Sequence, residues 1–187
     1  MRIISGKFRN KKLSFSKNSK TRPLKDSVKE NIFNILKHSK NINIEIKNSN
    51  VIDLYAGTGS FGLECLSREA SHVLFVEHNE DALMNLKKNI KNLNIENQTE
   101  ISSQDISEFF KKSIFRNKFD LAFLDPPYIN KTYLEIIKTI KKKQILNKKH
   151  ILIIHREKNS SDDLKKSINI IESRVYSRSE LFFGRLF

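Results

Sequence analysis

The sequence predicts an α/β protein built on a mostly parallel, doubly wound sheet of seven strands. From residue 51 onward, apolar runs of strand length alternate with segments whose apolar residues recur every three or four positions. Strands that alternate with helices in this way pair in parallel, and the helices cover both faces of the sheet. Glycines or prolines also follow two of the strands, as they do where a ligand lies beyond the carboxyl ends of such a sheet.

The elements can be placed in order along the chain. The predicted strands cover residues 51–55, 72–77, 99–103, 119–124, 150–155, 168–176 and 180–187, and the last two form an antiparallel pair. The predicted helices between them cover residues 60–69, 79–93, 106–115 and 134–142. The run 119–124 is almost wholly apolar, which indicates a strand buried on both faces.

A small basic extension is predicted to precede this sheet. The polar stretch 41–50 places the boundary near residue 48, which gives an extension over 1–48 and a main domain over 49–187. Apolar patches around Ile3 and Leu13 predict a short β-hairpin at the start of the extension.

The same extension contains one predicted helix. Its apolar positions between Val28 and Leu36 follow a spacing of three or four residues. Asp26 and Ser27 are both suitable N-cap residues, so we expect one of them to cap the helix.

Composition limits the class of protein. A chain of 187 residues with 38% hydrophobic content can build one domain with a proper core. The single cysteine, Cys65, permits no internal disulfide, which fits a reducing cytoplasm, and its helical context favours a core position over a nucleophile. No apolar stretch approaches the length of roughly 20 residues that a membrane span needs. We therefore expect a soluble cytoplasmic protein that acts as a monomer.

Positive charge is concentrated at the N-terminus. The formal net charge is +14, and residues 1–40 contribute twelve Lys and Arg against only Asp26 and Glu30. A general compositional bias toward lysine would spread the charge evenly along the chain. The clustering instead indicates a polyanionic partner, for which nucleic acid is the first candidate, and a solvated basic tail is the alternative.

A glycine-rich turn follows the first predicted strand. It has the pattern G-x-G-x-x-G and leads into a helix, which is the context that gives this pattern weight; its residues are Ala56, Gly57, Thr58, Gly59, Ser60, Phe61 and Gly62. The next strand ends at Glu77, about twenty residues after the first glycine, where a carboxylate can accept both hydroxyls of a ribose. These features predict an adenosine-type cofactor but do not distinguish NAD from S-adenosylmethionine.

Two further carboxylates bear on the cofactor. Asp53 lies inside the first strand, where a dinucleotide's phosphates would disfavour negative charge but a cofactor with a sulfonium and an α-amino group would favour it. Asp105 follows the third strand, where it is equally suited to accept from an adenine amine or to cap the next helix.

The fourth strand ends in a short rigid motif, Asp125, Pro126, Pro127 and Tyr128. Proline lacks an N–H and fixes φ, so the turn is stiff and its carbonyls are free to accept hydrogen bonds. A carboxylate, rigid carbonyls and a flat ring are suited to bind a planar ring that carries an exocyclic amine. By itself the motif also fits an ordinary loop after a core strand.

The order of these motifs resembles the class I S-adenosylmethionine-dependent methyltransferases, and Asp-Pro-Pro-Tyr is similar to the motif of their amino-methylating subgroup. The flanking segments resemble the RsmD family, whose members methylate a guanine N2 in bacterial small-subunit (16S) ribosomal RNA. The residues that carry this resemblance are 2–9, 21–23, 26, 28, 30–34, 53–59, 62–64, 66–68 and 183–184. Asn10, Ser27 and Lys29 depart from the family pattern, which has glycine at the first position and arginines at the other two.

The resemblance implies a mechanism and a set of site residues. The guanine would leave its stack and enter the pocket, as substrates of base-modifying enzymes do. Tyr128 would stack on it while Asp125 and the Pro126 carbonyl accept from the amine, and positioning would supply most of the acceleration without a metal. The cofactor would be held by Asp53, Ala56, Gly57, Thr58, Gly59, Gly62, Glu77 and Asp105. RNA would contact Arg2, Lys7, Arg9, Lys11, Lys12 and Arg22, and Arg22 either closes over the site or forms an internal ion pair.

Three other functions compete with this one. An amino-methyltransferase acting on DNA adenine or cytosine would share Asp-Pro-Pro-Tyr, but the chain has little room for a target-recognition region. A protein-glutamine methyltransferase would favour asparagine at position 125 and a non-basic N-terminal domain. A non-catalytic nucleic-acid-binding module would not need Asp53, Glu77 and Asp125 together.

Overall fold

The computed structural model describes residues 1–16, 24–128, 132–158 and 164–186. Its strands are β1 (Asn50–Leu54), β2 (His72–Val76), β3 (Thr99–Ser102), β4 (Phe119–Leu124), β5 (Leu146–Glu157), β6 (Asn169–Tyr176) and β7 (Ser179–Arg185). Its helices are α1 (Asp26–His38), α2 (Ser60–Ser67), α3 (Glu80–Leu93), α4 (Ile106–Lys112) and α5 (Tyr133–Lys143), with short 3-10 turns at Glu96–Gln98 and Leu164–Lys166.

All seven strands form one sheet in the order β3-β2-β1-β4-β5-β7-β6. Neighbouring strands from β3 to β5 are parallel, whereas β7 runs antiparallel to both β5 and β6. The predicted doubly wound sheet and its final antiparallel pair are therefore confirmed. The order of the strands reverses at β1 and β4, which places their carboxyl ends side by side at the switch point where such sheets bind ligands.

Two apolar layers cover the two faces of the sheet. One contains alternate residues of the central strands together with α1, α2 and α3, and includes Phe33, Phe61 and Phe123 as a stack with ring centroids 5.5 and 4.2 Å apart. The other layer contains α4 and α5 packed on the remaining strand residues. Because both faces are covered, all but one residue in each of β1, β2 and β4 is buried, whereas the edge strand β3 is only partly buried.

Several predicted boundaries shift in the structure. Strand β5 begins at Leu146 rather than at residue 150, because a register shift between Phe119 and Leu121 lets the polar start of β5 pair with β4. The helix predicted over 106–115 ends at Lys112. The predicted cap of α1 is wrong: its N-cap position is Lys25, and no side chain caps it.

The N-terminal extension shares the core of the main sheet. Ile3, Leu13 and Phe33 are buried in the same cluster as residues of β1 and α2. The predicted hairpin is reduced to one antiparallel bridge between Arg2 and Lys12, flanked by backbone hydrogen bonds. Among the described residues, no helix is long and apolar enough to cross a membrane.

Candidate active site

The glycine turn has one open side and one packed side. Gly57 and Gly59 have φ values of 56° and 83°, in the left-handed region that glycine adopts readily. A Cβ placed at Gly57 would meet no atom within 4 Å, whereas one at Gly59 would lie 2.4 Å from Leu86 Cδ1. A Cβ at Gly62 would lie 2.4 Å from the Phe75 ring. Gly57 thus leaves the turn accessible to a ligand. Gly59 permits close packing of the turn on α3, and Gly62 permits close packing of α2 on β2.

Glu77 holds the glycine turn in place. It is only 5% exposed, and its Oε2 accepts a hydrogen bond of 2.7 Å from the Gly57 N–H. Its Oε1 accepts from the N–H groups of His78 and Asn79, at 2.9 and 2.8 Å. A carboxylate offers about four lone-pair sites, so Glu77 retains an acceptor for a hydroxyl next to Gly57.

Asp53 is buried directly beneath the same turn. It is 1% exposed, and its Oδ2 accepts a hydrogen bond of 3.0 Å from the Gly62 N–H at the start of α2. Burial raises the pKa of Asp53 well above its usual range, the Gly62 bond opposes this, and the charges of Asp125 and Glu77 raise it further. A cation bound nearby would lower that pKa again, which makes the three carboxylates a favourable place for a positively charged group.

Tyr55 stands between the two carboxylates that end the neighbouring strands. Leu54 pairs with Val76 of β2 and with Leu124 of β4, so the residues that follow these three lie side by side. Tyr55 has φ 61°, which is unusual for an aromatic residue and is the kind of backbone strain that occurs at functional sites. The sequence predicts Tyr55 as the end of a strand and places it in the segment 53–59 that carries the family resemblance, but it assigns Tyr55 no role in the site.

The Asp125 motif is held by two consecutive residues of β5. The Asp125 side chain is 23% exposed, and its Oδ1 lies 2.8 Å from His155 Nδ1. Arg156, which is 1% exposed, donates to the carbonyls of Pro127 at 3.2 Å and Tyr128 at 2.9 Å. Successive strand residues point to opposite faces, so β5 fixes the motif from both sides.

This arrangement refines the prediction of free carbonyls. The carbonyls of Pro127 and Tyr128 are occupied by Arg156, whereas no described residue donates to the carbonyl of Pro126. The Tyr128 ring is 40% exposed and faces the edge of His155, with centroids 6.1 Å apart. Burial raises the pKa of the Tyr128 hydroxyl, and the Asp125 charge adds to the effect.

Comparison with known proteins bears on this site. The model of the family described as Conserved hypothetical protein 95 matches residues 1–185. The Ribosomal RNA small subunit methyltransferase D of Buchnera aphidicola subsp. Acyrthosiphon pisum is 32% identical over 181 residues, which are 96% of this chain and 90% of that protein. The chain belongs to this methyltransferase family.

Similarity to solved structures identifies the fold of this chain. The structure of yhhF from Escherichia coli has a TM-score of 0.82 at 23% identity and covers 100% of this chain and 97% of its own. SMU.776, whose structure was solved complexed with SAH, has a TM-score of 0.62 at 14% identity over 79% of this chain and 47% of its own. The fold is that of a class I methyltransferase. The SAH bound to SMU.776 is the product that remains when S-adenosylmethionine has given up its methyl group.

The glycine turn and its carboxylates fit that cofactor. The open face at Gly57, the remaining acceptor of Glu77 and the buried charge of Asp53 lie at one edge of the sheet. Asp105 caps α4, since its Oδ1 accepts from the Ser107 N–H at 2.8 Å, so the capping role predicted for it is confirmed. Asp105 is exposed. Burial raises the pKa of Tyr55, and the nearby charge of Asp105 raises it further, so Asp105 lies at the same edge of the sheet as Tyr55.

The predicted RNA-contacting residues that the structure describes are exposed cations. Five of the six are described and all are exposed; they are Arg2, Lys7, Arg9, Lys11 and Lys12. None of these five pairs with a carboxylate in the described part of the chain. The sixth, Arg22, lies outside the described residues, as does Pro23.

The basic segment abuts the glycine turn. Asn89 of α3 donates to the carbonyls of both Ser14 and Thr58 at 3.1 Å, and the Thr58 hydroxyl lies 3.9 Å from the Met1 sulfur. Lys29 lies beneath the segment and is fully buried, with its Nζ 2.7 Å from the Arg2 carbonyl. Lys29 therefore anchors the segment and does not offer a surface charge.

Cys65 is fully buried, as the sequence predicts for a core residue. Burial raises the pKa of its thiol well above the usual range, which removes the thiolate that a nucleophile requires. Among the residues that the structure describes, no group of three or more His, Cys, Asp or Glu side chains is arranged to hold a metal ion.

Proposed function

We propose that this protein transfers a methyl group from S-adenosylmethionine to the exocyclic N2 amine of a guanine in small-subunit ribosomal RNA. The observation that carries the proposal is the Asp125 motif, which presents a carboxylate, a Pro126 carbonyl that accepts from no described residue and an exposed Tyr128 ring at the switch point of the sheet. The glycine turn, where the cofactor would bind, follows β1, and β1 pairs with β4, the strand that leads into the motif.

The acceptors suit an aromatic amine. An exocyclic amine carries two N–H donors, and Asp125 Oδ2 and the Pro126 carbonyl supply two acceptors next to each other in the chain. Accepting from both N–H groups opposes delocalisation of the nitrogen lone pair into the ring and turns that lone pair toward the methyl donor. Tyr128 supplies an exposed face for stacking, which holds a base with little dependence on its identity.

The basic segment supports a nucleic acid as the carrier of that amine. Five exposed cations, which have no carboxylate partner in the described part of the chain, line a segment that contacts the glycine turn through Asn89 and Met1. Such charges bind phosphates through release of counterions, so affinity should fall steeply as salt concentration rises. Ribosomal RNA as the particular target is supported by the Buchnera relative, whose name states that activity.

The residues of the chain divide the work between binding and positioning. S-adenosylmethionine supplies an activated methyl group on a sulfonium. Glu77 and the Gly57 face would bind the ribose, and Asp53 would balance the positive charge near the turn. Asp125 would orient the amine, and removal of water from the site would strengthen each of these interactions.

The test uses purified protein and small-subunit particles or RNA from a strain that lacks the orthologous enzyme. Wild-type protein should produce N2-methylguanine in the nucleoside digest, measured by mass spectrometry. The variant Asp125→Ala should lose methyl transfer by about 100-fold or more, because the amine is no longer oriented, while calorimetry shows unchanged binding of S-adenosylmethionine.

The matched control is Asp81→Ala, which removes an exposed carboxylate from α3 and should leave turnover unchanged. Methyladenine or methylcytosine in the digest would assign the protein to another amino-methylating activity. Retained turnover in Asp125→Ala would contradict the role given to the motif.

A further inference from the structure

His155 makes a single described hydrogen bond, and that bond is to the proposed catalytic carboxylate. Its side chain is 10% exposed, and Nδ1 lies 2.8 Å from Asp125 Oδ1. The other ring nitrogen, Nε2, is buried and has no hydrogen-bond partner among the described residues. This hydrogen bond to the proposed catalytic carboxylate distinguishes His155 from a histidine that only fills space in the core.

The geometry selects one tautomer of the ring. An ionised carboxylate can only accept hydrogen bonds, so Nδ1 must carry the proton that joins the two side chains. In the neutral ring Nε2 is then an acceptor without a donor, which costs less than a buried N–H without an acceptor. His155 therefore presents Nδ1–H to Asp125 as a directed donor.

This bond limits what Asp125 can do. With Oδ1 held by His155, the carboxylate has one fixed orientation and leaves Oδ2 as the acceptor for a ligand. The same imidazole faces the Tyr128 ring edge to face, at 6.1 Å between centroids and an interplanar angle of 75°. One side chain thus supports both the acceptor and the stacking ring of the motif.

We propose that His155 is a positioning residue for amine methylation, which orients Asp125 through Nδ1–H and supports the Tyr128 ring. The inference rests on the proposed function, since it assigns Asp125 the task of accepting from the substrate amine. Arg156 makes the role of His155 separable from that of the backbone. It holds the Pro127 and Tyr128 carbonyls independently, so loss of the His155 bond releases the Asp125 side chain without releasing the loop.

The test compares two substitutions of similar bulk. His155→Asn keeps an amide N–H attached to the same carbon as Nδ1, and His155→Leu keeps an apolar side chain without a donor. We expect kcat to fall about 10- to 100-fold in His155→Leu, the usual effect of losing a hydrogen bond to a charged group that sets geometry. In His155→Asn it should stay within about threefold of wild type. Binding of S-adenosylmethionine should stay unchanged in both variants.

His150→Leu is the matched control. His150 is also a buried histidine of β5, but it contacts the Asn147 carbonyl and the Leu186 N–H and no residue of the motif. All variants are assayed below their own unfolding temperatures. His150→Leu should lose stability but retain wild-type kcat. Unchanged kcat in His155→Leu, or equal losses in the leucine and asparagine variants, would overturn the proposal.

A second measurement does not depend on the substrate. Nitrogen–proton correlation spectra of the imidazoles should show His155 protonated at Nδ1 in wild-type protein, with its resonances shifted in Asp125→Ala. A His155 protonated at Nε2, or unaffected by Asp125→Ala, would refute the inference even if the enzyme is active. Absence of guanine methylation together with the expected spectra would instead refute only the proposed function.

Discussion

Glu64 should be the main electrostatic anchor of the basic N-terminal segment. Its carboxylate is fully buried and accepts the backbone N–H groups of Ile4 at 2.7 Å and Ser5 at 2.9 Å. It also accepts from Arg68 Nε at 3.0 Å and lies 3.7 Å from Lys29 Nζ. We predict that Glu64→Gln destabilises the protein strongly, although it changes the volume of the side chain very little.

The magnitude follows from what the amide cannot do. One of the two oxygens becomes an NH2 group that faces donors, and the buried Lys29 loses its nearest anion. Removing one partner of a buried ion pair costs about 3–5 kcal/mol. Lys29 still donates to the Arg2 carbonyl at 2.7 Å and to the Ser60 hydroxyl at 3.1 Å, which places the expected loss near the lower end. For a chain of this size, a loss of about 3 kcal/mol lowers Tm by about 6–12 °C.

The measurement is urea and thermal unfolding followed by circular dichroism at neutral pH. Glu69→Gln is the matched control, because Glu69 pairs with Lys47 at 3.3 Å with both side chains more than half exposed. That control should change the free energy of unfolding by less than about 0.5 kcal/mol. If Glu64→Gln costs less than about 1 kcal/mol, the buried network does not anchor the segment as argued.

Two further predictions concern the glycine turn and a buried histidine. Gly57→Ala should weaken binding of S-adenosylmethionine at least tenfold by calorimetry, and the positive φ of Gly57 should make the substitution cost about 1–2 kcal/mol of stability. Gly62→Ala should mainly lower Tm, because its Cβ would lie 2.4 Å from the Phe75 ring. Equal effects of the two substitutions on binding would contradict the assignment of Gly57 to the open side of the turn and Gly62 to the packed side. Burial lowers the pKa of His150, partly opposed by its bond to the Asn147 carbonyl, so the unfolded chain takes up a proton near pH 6.5 that the native state resists. The contribution of His150 to stability should therefore be fully present above about pH 6.5 and fall as the pH decreases toward the native pKa of His150. The decrease in Tm between pH 7 and pH 5 should be smaller in His150→Gln than in the wild type. An equal decrease in both proteins would show that His150 is not the group responsible.

Much of the fold was predictable because its signals are local. Apolar runs, helical spacing and glycine or proline turns each occupy a few consecutive residues, and the observed strands match the predicted ones within a few positions, apart from the start of β5. That start was missed because the register shift beside Phe119 depends on the partner strand. The capping prediction for α1 failed because the residue type shows only that a side chain is able to cap a helix. Whether it does so depends on where the helix begins, and α1 begins after Lys25.

The candidate site was predictable in part for the same reason. Asp53, Glu77 and Asp125 were identified because parallel strands bring their carboxyl ends to one edge. Neither His155 nor Arg156 was assigned a role in the site, since neither lies in a recognisable motif. The nearest available signal was that two polar residues, His155 and Arg156, follow the apolar part of β5. Strand β5 pairs with β4, which leads into the Asp125 motif.

The sequence by itself determined the doubly wound sheet, the glycine turn and the rigid turn at Asp125, because each depends on residues adjacent in the chain. Only the tertiary structure decided that Lys29 is a buried anchor, that Glu64 holds the N-terminal segment and that His155 orients Asp125. Those contacts join residues separated by 27 to 60 positions. Their energies depend on burial and distance, which arise only when the chain has folded and water has been excluded.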